Sequence, residues 1–251
     1  MQTSEPTSTG YVMALPPQIQ GSAVGDFFND LLRGLIHKQN NFLAVIQGFS
    51  SLILMTEGLD SMVKENLDHM KEATQGAAGL SERILAASGC VRINPQTVQL
   101  ADYIPLIEGS LRMPCQKLGV TFQLNVSPGL PAVTADNGRL KDVLAELILN
   151  GAEAVVTSGK PGVVALDILP PGQVPGGRPG CVDIFVRNSG ATIAPEKLAD
   201  IFKPFKSTKD SKHYGIGLTI AAVLLSQMGG TLGVRVDADA TTFWISIPAA
   251  S

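Results

Sequence analysis

Residues 37–54, HKQNNFLAVIQGFSSLIL, set one histidine in the middle of a long amphipathic helix. Phe28, Leu32, Leu35, Gln39, Phe42, Ile46, Phe49 and Ile53 recur at alternating intervals of four and three, which is the spacing of a packed helical seam. His37 falls two residues past Leu35 and two before Gln39, so the pattern points it away from the seam and into water. An imidazole on a rigid helix in that position has a lone pair to offer and is chemically suited to carry a phosphoryl group.

The apolar stripe is wider than its seam. Leu31, Val45 and Leu52 flank one side, and Ile36 and Leu43 flank the other. The helix is predicted over 23–56. Gly58 breaks it, Asp60 can cap the next helix, and that second helix is predicted to about Ser88, with Val63, Met70, Ala77 and Ile84 at every seventh position. Gly89 ends it and Asn94-Pro95 marks a linker. One partner helix cannot cover so broad a stripe, whereas two copies of the hairpin can close into a four-helix bundle. Residues 23–93 are therefore expected to form a dimerising helical hairpin.

From residue 97 onward, helical and extended patterns mix. Helices are expected at 101–118, 137–157 and 216–228, and extended runs at 120–126, 132–134, 163–169, 181–187, 231–237 and 242–247. The glycine-rich stretch 170–180, PPGQVPGGRPG, reads as a hairpin loop and not as a phosphate cradle. The fold class expected is thus an α hairpin forming a dimeric four-helix bundle, followed by an α+β two-layer sandwich over 97–251. Residues 1–22, rich in Thr, Ser, Pro and Gly, read as a loose leader.

Composition excludes several classes. With 45% hydrophobic and 16% charged residues and a mean hydropathy of +0.21, the 251-residue chain is globular. A net charge of −3 without a Lys/Arg run gives no footprint for nucleic acid. No run reaches the length of a membrane helix, and no signal pattern opens the chain, so a cytoplasmic protein without membrane insertion is expected. Cys90, Cys115 and Cys181 lack metal-ligand spacing and read as buried thiols in a reducing compartment. His69 and His213 likewise have no acidic or cysteine partners at ligand spacing.

Motifs fill out this frame. Glu146 and Asn150, in LAELILNGAEAV, stack on one helical face. Arg187-Asn188-Ser189-Gly190-Ala191-Thr192-Ile193 follows a predicted strand, and IFKPFKSTK (201–209) precedes His213-Tyr214-Gly215-Ile216-Gly217-Leu218, which opens a helix. Ala240-Thr241-Thr242-Phe243 leads into the last strand. Over residues 25–249 this order of elements resembles the core of a bacterial sensor histidine kinase. In that family a dimerisation and phosphotransfer hairpin precedes an ATP-binding domain of the gyrase–chaperone–kinase type.

The resemblance implies roles. His37 is the phosphoacceptor, and Asn41, one turn on, orients water. Glu146 activates the attacking group or supports the metal, and Asn150 ligates Mg²⁺ bridging the ATP phosphates. Asn188 meets the adenine amino group, with Gly190 beside it and Thr241 beneath the base. Gly215, Gly217 and Leu218 open the helix whose free N–H groups meet phosphate. Lys209 reaches a terminal phosphate, and Phe202 and Phe205 anchor the lid in the core. The resemblance also implies a homodimer and a response-regulator receiver domain as partner. The leader is too short for a sensor domain, so input is expected through a partner or from sequence beyond this core.

Four positions depart from the family pattern. Lys38 stands where the family has an acid, and an ammonium has no acceptor for the imidazole proton. A positioned base is worth on the order of 10²–10⁴ in rate. Asn188 replaces an aspartate, a difference of roughly 1 kcal/mol, Thr192 replaces a glycine, and His213 opens the last glycine motif. These four favour a second reading, a histidine phosphotransferase or pseudokinase whose ATP domain is a scaffold. A chaperone- or gyrase-like ATPase shares Glu146 and Asn150 but leaves the histidine hairpin unexplained.

Overall fold

The computed structural model describes residues 12–13, 23–172, 179–206 and 214–250. Two compact units divide the chain: Pro17–Val91, and Met1–Pro16 together with Arg92–Ser251.

The first unit is a pair of helices, α1 (Ala23–Leu54) and α2 (Ser61–Ala87). The Asp60 carboxylate caps α2 by accepting from the Met62 N–H at 2.8 Å, as its place after the break implies. Between the helices the buried row runs through Ile36 and Ser50 on α1 and through Leu67, Thr74, Ser81 and Ala86 on α2. The buried hydroxyls are satisfied within their own helices: Ser50 donates to Ile46 O, Thr74 to Lys71 O and Ser81 to Ala77 O.

This differs from the seam expected from the sequence. Phe28, Leu35, Phe42, Ile46, Phe49 and Ile53 are all exposed within one chain, Phe42 by 71%, and Leu31, Val45 and Leu52 join them. On α2, Val63 and Met70 are exposed, and the buried row is instead Leu67, Thr74 and Ser81. Periodicity gives the spacing of rows but not which row meets the nearer helix. Here the buried positions of α2 are mostly small, Thr74, Ser81 and Ala86 beside Leu67, and those of α1 are Ile36 and Ser50. The bulky aromatic row is left on the outside.

The second unit holds β2 (Gln96–Val98), α3 (Leu100–Lys117), β3 (Thr121–Val126), β4 (Val133–Ala135), α4 (Asn137–Thr157), β5 (Val163–Leu169), β6 (Cys181–Asn188), α5 (Gly217–Gln227), β7 (Thr231–Val236) and β8 (Thr241–Pro248). A short 3₁₀ turn at Pro195–Lys197 follows β6. The strands β7, β8, β6, β5 and β3 lie side by side in that order, with β3 and β5 parallel and the other pairs antiparallel. Val12–Met13, inside the predicted leader, add a short strand β1 against β7. β2, also absent from the sequence expectation, pairs with β4 in a separate two-stranded ribbon.

The core follows from strand alternation. Val182, Ile184 and Val186 on β6 pair with Ile247, Ile245 and Phe243 on β8, and all are buried. Asn188 shares their phase, and α4 crosses that same face, since its Gly151 lies against Asn188 and Val164. From α4, Leu140, Leu144, Leu147, Ile148 and Val155 fill the layer, and from α5, Ile220, Val223 and Leu224 do so. The result is the two-layer sandwich expected from the pattern. Tyr103 on α3 ties the layer together by donating to Asn137 O at 2.6 Å, and burial, with Asp142 and Asp136 nearby, pushes its hydroxyl pKa up.

Replacing Tyr103 with Phe removes that bond and keeps the ring. Thermal unfolding should show a loss of about 1 kcal/mol, a fall in Tm of roughly 2–4 °C.

Candidate functional site

The candidate site draws on the middle of α4, the end of β6 and the start of β8. Asp136 starts α4 by accepting from the Arg139 N–H at 3.1 Å. Glu146 and Asn150 then come one turn apart on a helix whose neighbouring positions, Leu147, Ile148 and Gly151, are buried. Both side chains are half-buried and both take part in interactions. A Cβ on Gly151 would lie 3.2 Å from Asn188 Cβ, so Asn150 sits one residue from where α4 touches the end of β6.

Strand register brings Asn188 opposite Thr241. With its amide oriented to satisfy both neighbours, Asn188 donates to Thr241 O at 3.3 Å and accepts from the Gly190 N–H at 3.2 Å. One of its two carbonyl lone pairs is thereby engaged. Asn188 and Thr241 are each 2% exposed, and Thr241 Oγ1 has no hydrogen-bond partner among the described residues. A buried hydroxyl left without a partner is costly, so a polar ligand that reaches it gains by satisfying it.

Gly190 has a packing role that the sequence does not disclose. A Cβ there would come within 2.5 Å of Ala154 C and Val155 N on the α4 backbone, and the Ala191 N–H donates to Ala154 O at 2.9 Å. The end of β6 can rest on α4 only because position 190 has no side chain. Thr192, where the family has a glycine, is exposed.

The other part is the start of α5. Ile216 occupies the cap position and supplies no side-chain bond, so Gly217 and Leu218 open the helix with N–H groups that no cap side chain takes. Gly215 has φ +64°, and a Cβ there would press on the Lys206 carbonyl carbon at 3.0 Å. Thr219, which motif spacing does not single out, donates to Phe202 O at 2.9 Å and holds the Phe202 segment to the first turn of α5. A hydroxyl in the first turn of a helix is the available signal. Phe205 corrects the expectation that both phenylalanines anchor in the core: the chain turns there with φ +60°, and the ring is 63% exposed. Lys209 and His213 lie outside the described residues.

On the hairpin, His37, Lys38 and Asn41 are all exposed on α1. Asn40, between them, turns inward, and its Oδ1 is buried without a partner among the described residues. The three cysteines are free and buried, and burial pushes the Cys115 thiol up to about 11. Such a thiol is not a nucleophile at neutral pH.

Residues 135–251 match the family model described as histidine kinase-, DNA gyrase B- and HSP90-like ATPase. That match begins at the end of β4 and takes in α4 and every later element of the α+β unit. The sensor histidine kinase ZraS of Salmonella typhimurium (strain LT2) is 25% identical over 219 residues, covering 87% of this chain and 45% of that protein. The sensor kinase CckA of Brucella abortus (strain 2308) is 27% identical over 265 residues, covering 99% of this chain and 26% of that protein. The chain thus spans less than half the length of these curated relatives. Among solved structures, full-length ShkA in complex with AMPPNP superposes with a TM-score of 0.73 at 23% identity, over 88% of this chain and 46% of that one. That likeness concerns the fold. In sequence the chain is similar to sensor histidine kinases, and in fold to a solved one, as a helical hairpin followed by the unit that carries the ATPase match. No helix among the described residues is long and apolar enough to cross a membrane.

Gly190→Ala should destabilise the ATPase domain by about 1–3 kcal/mol or more, because backbone and not a flexible side chain opposes the added methyl. Chemical denaturation of the nucleotide-free protein measures this. The packing role predicts the loss with no ligand present.

Proposed function

We propose that the chain is a cytoplasmic protein-histidine kinase of a two-component system. In this reading the Nε2 lone pair of His37 attacks the γ-phosphorus of ATP. A P–N bond forms, the bond to the β-phosphate oxygen breaks, ADP leaves, and the imidazole gives up its proton to water. The phosphoryl group then passes to an aspartate carboxylate on a response-regulator receiver domain. The observation that carries the reading is the exposed imidazole of His37, on the helix whose apolar face is left uncovered, in the same chain as a match to the histidine kinase-like ATPase model; His69, also exposed, lies on α2.

The residues fit an adenine nucleotide. Thr241 Oγ1 is a buried hydroxyl awaiting a partner, and the second carbonyl lone pair of Asn188 can accept from an amino group. Gly190 holds the end of β6 where that pair meets the base, and the start of α5, through Gly215, Gly217 and Leu218, suits phosphate. Asn150 offers an amide oxygen of the kind Mg²⁺ takes alongside phosphates and water, with Glu146 one turn away to support it. When bound, Mg²⁺ neutralises phosphate charge, so the protein's task is mostly positioning. Lys209 is assigned to the terminal phosphate on the family resemblance alone. Asn41, exposed one turn past His37, is suited to orient a water for the reverse, hydrolytic step.

We assign the hairpin the role of a homodimer interface. Phe28, Phe42, Phe49 and Leu52, each more than half exposed, form a face that a second hairpin would cover.

One observation favours the phosphotransferase reading: Lys38 stands beside His37 and can accept no proton. Incubation with Mg²⁺ and γ-labelled ATP separates the two. The kinase reading predicts acid-labile, base-stable label that disappears in His37→Gln. An unlabelled chain that still takes label from a phosphorylated receiver domain would be a phosphotransferase. In sedimentation at micromolar concentration the chain should run as a dimer, and the double variant Phe42→Asp/Phe49→Asp as a monomer.

A further inference from the structure

The passage from hairpin to ATPase domain is pinned at both ends. Gly89, at φ +71°, ends α2, and the Cys90 N–H donates back to Leu85 O at 2.9 Å. The Cys90 carbonyl then receives two bonds from the Arg33 guanidinium on α1, from Nε at 3.3 Å and from Nη2 at 3.1 Å. Its thiol lies 3.3 Å from Asn29 Oδ1, also on α1, and the residue is 8% exposed. Arg33 stands one helical turn before His37, so the chain, as it leaves the hairpin, is tied to the helix that carries the acceptor imidazole.

The other pin is Asp136. One of its oxygens caps α4 through the Arg139 N–H, and the other accepts from the Asn94 N–H at 2.8 Å. Immediately after, Gln96 pairs with Ala135 in the β2–β4 ribbon. Asn94 is therefore fixed to the start of the helix that bears Glu146 and Asn150. Between the pins lie Val91, Arg92 and Ile93, whose backbones make no hydrogen bond to another described residue, and the boundary between the two compact units falls there.

We propose that Arg33 and Asp136 are positioning residues that confine the joint between hairpin and ATPase domain to Val91, Arg92 and Ile93. In doing so they set the effective concentration of the nucleotide domain at His37. The kinetic part rests on the kinase reading above, whereas the anchoring does not. Arg33 touches neither nucleotide nor acceptor; it acts through the length of the joint. Without the Arg33 bonds that end is held to α1 only by the thiol contact, and opening of the helix-end bonds of Gly89 and Cys90 then lengthens the run from three residues to five. Effective concentration falls as the −3/2 power of linker length, so the loss is about two- to threefold.

The test compares the unaltered chain with Arg33→Gln, with Arg33→Lys and with a three-glycine insertion after Arg92. Limited trypsin treatment reads the anchor, because Arg92 lies in the joint. Arg33→Gln should be cut after Arg92 several-fold faster than the unaltered chain, with Arg33→Lys in between. Labelling of His37 should slow about two- to threefold in both Arg33→Gln and the insertion, at an unchanged KM for ATP. Equal cleavage rates for the unaltered chain and Arg33→Gln would overturn the anchoring whatever the labelling shows. Faster cleavage with an unchanged or increased labelling rate would overturn the kinetic role. If the unaltered chain takes no label at all, the kinase reading fails together with that role, and cleavage alone decides the anchor.

Discussion

A missing side chain governs the site. The end of β6 rests directly on the backbone of α4, with Gly190 against Ala154 and Val155 and with the Ala191 N–H bonded to Ala154 O. That contact fixes the height at which Asn188 meets Gly151, and hence the distance between the α4 side chains and the β6–β8 strand ends. Asn188 faces Thr241 through strand register, and the contact brings Gly151, the neighbour of Asn150, against Asn188. A methyl group at position 190 would need the helix backbone to move, and packed interiors give way poorly. Glycine here is first a packing requirement, and any gain to a bound nucleotide is built upon that.

The hairpin obeys a different constraint, the number of apolar rows a two-helix unit can cover. Ile36 and Ser50 face α2, whose inward row is narrow and partly hydroxylic, with each hydroxyl satisfied on its own helix. The aromatic row of α1 cannot be covered by the same partner. An apolar face of that breadth exceeds the scattered exposure normal for a protein surface. His37 follows Ile36, the buried residue, and yet is itself exposed, since successive helical positions are separated by about 100°. The same geometry that buries Ile36 presents the imidazole.

Much of this is legible in the sequence because it is carried by period and punctuation. The 3.6-residue repeat gives α1, α2, α4 and α5 to within a few residues, and Asp60 caps as its position implies. The alternation in 163–169, 181–187 and 242–247 gives the strands of the core. Row assignment is not legible, since both faces of α1 are apolar and only the choice of partner separates Ile36 from Phe42. β1 and β2 are short and owe their form to pairing with β7 and β4, a nonlocal cause that no local pattern reports. Asn150, Asn188 and Thr241 are expected from residue types at motif spacing, and the structure sets Asn188 opposite Thr241 and against Gly151. The Asn188–Gly190 bond and the contact with Ala154 depend on where β6 ends relative to α4. Phe205 shows the limit of motif reading, because its backbone conformation leaves the ring in solvent.

Calorimetric titration of the full chain with a non-hydrolysable ATP analogue and Mg²⁺ is the most direct test that these strand ends form a nucleotide site. One site per chain is predicted, weakened at least about tenfold by Asn150→Ala and about fivefold by Thr241→Val, which remove a metal ligand and a buried hydroxyl partner worth on the order of 1 kcal/mol. An absence of binding heat across temperatures, or affinities unchanged in both variants, would contradict it.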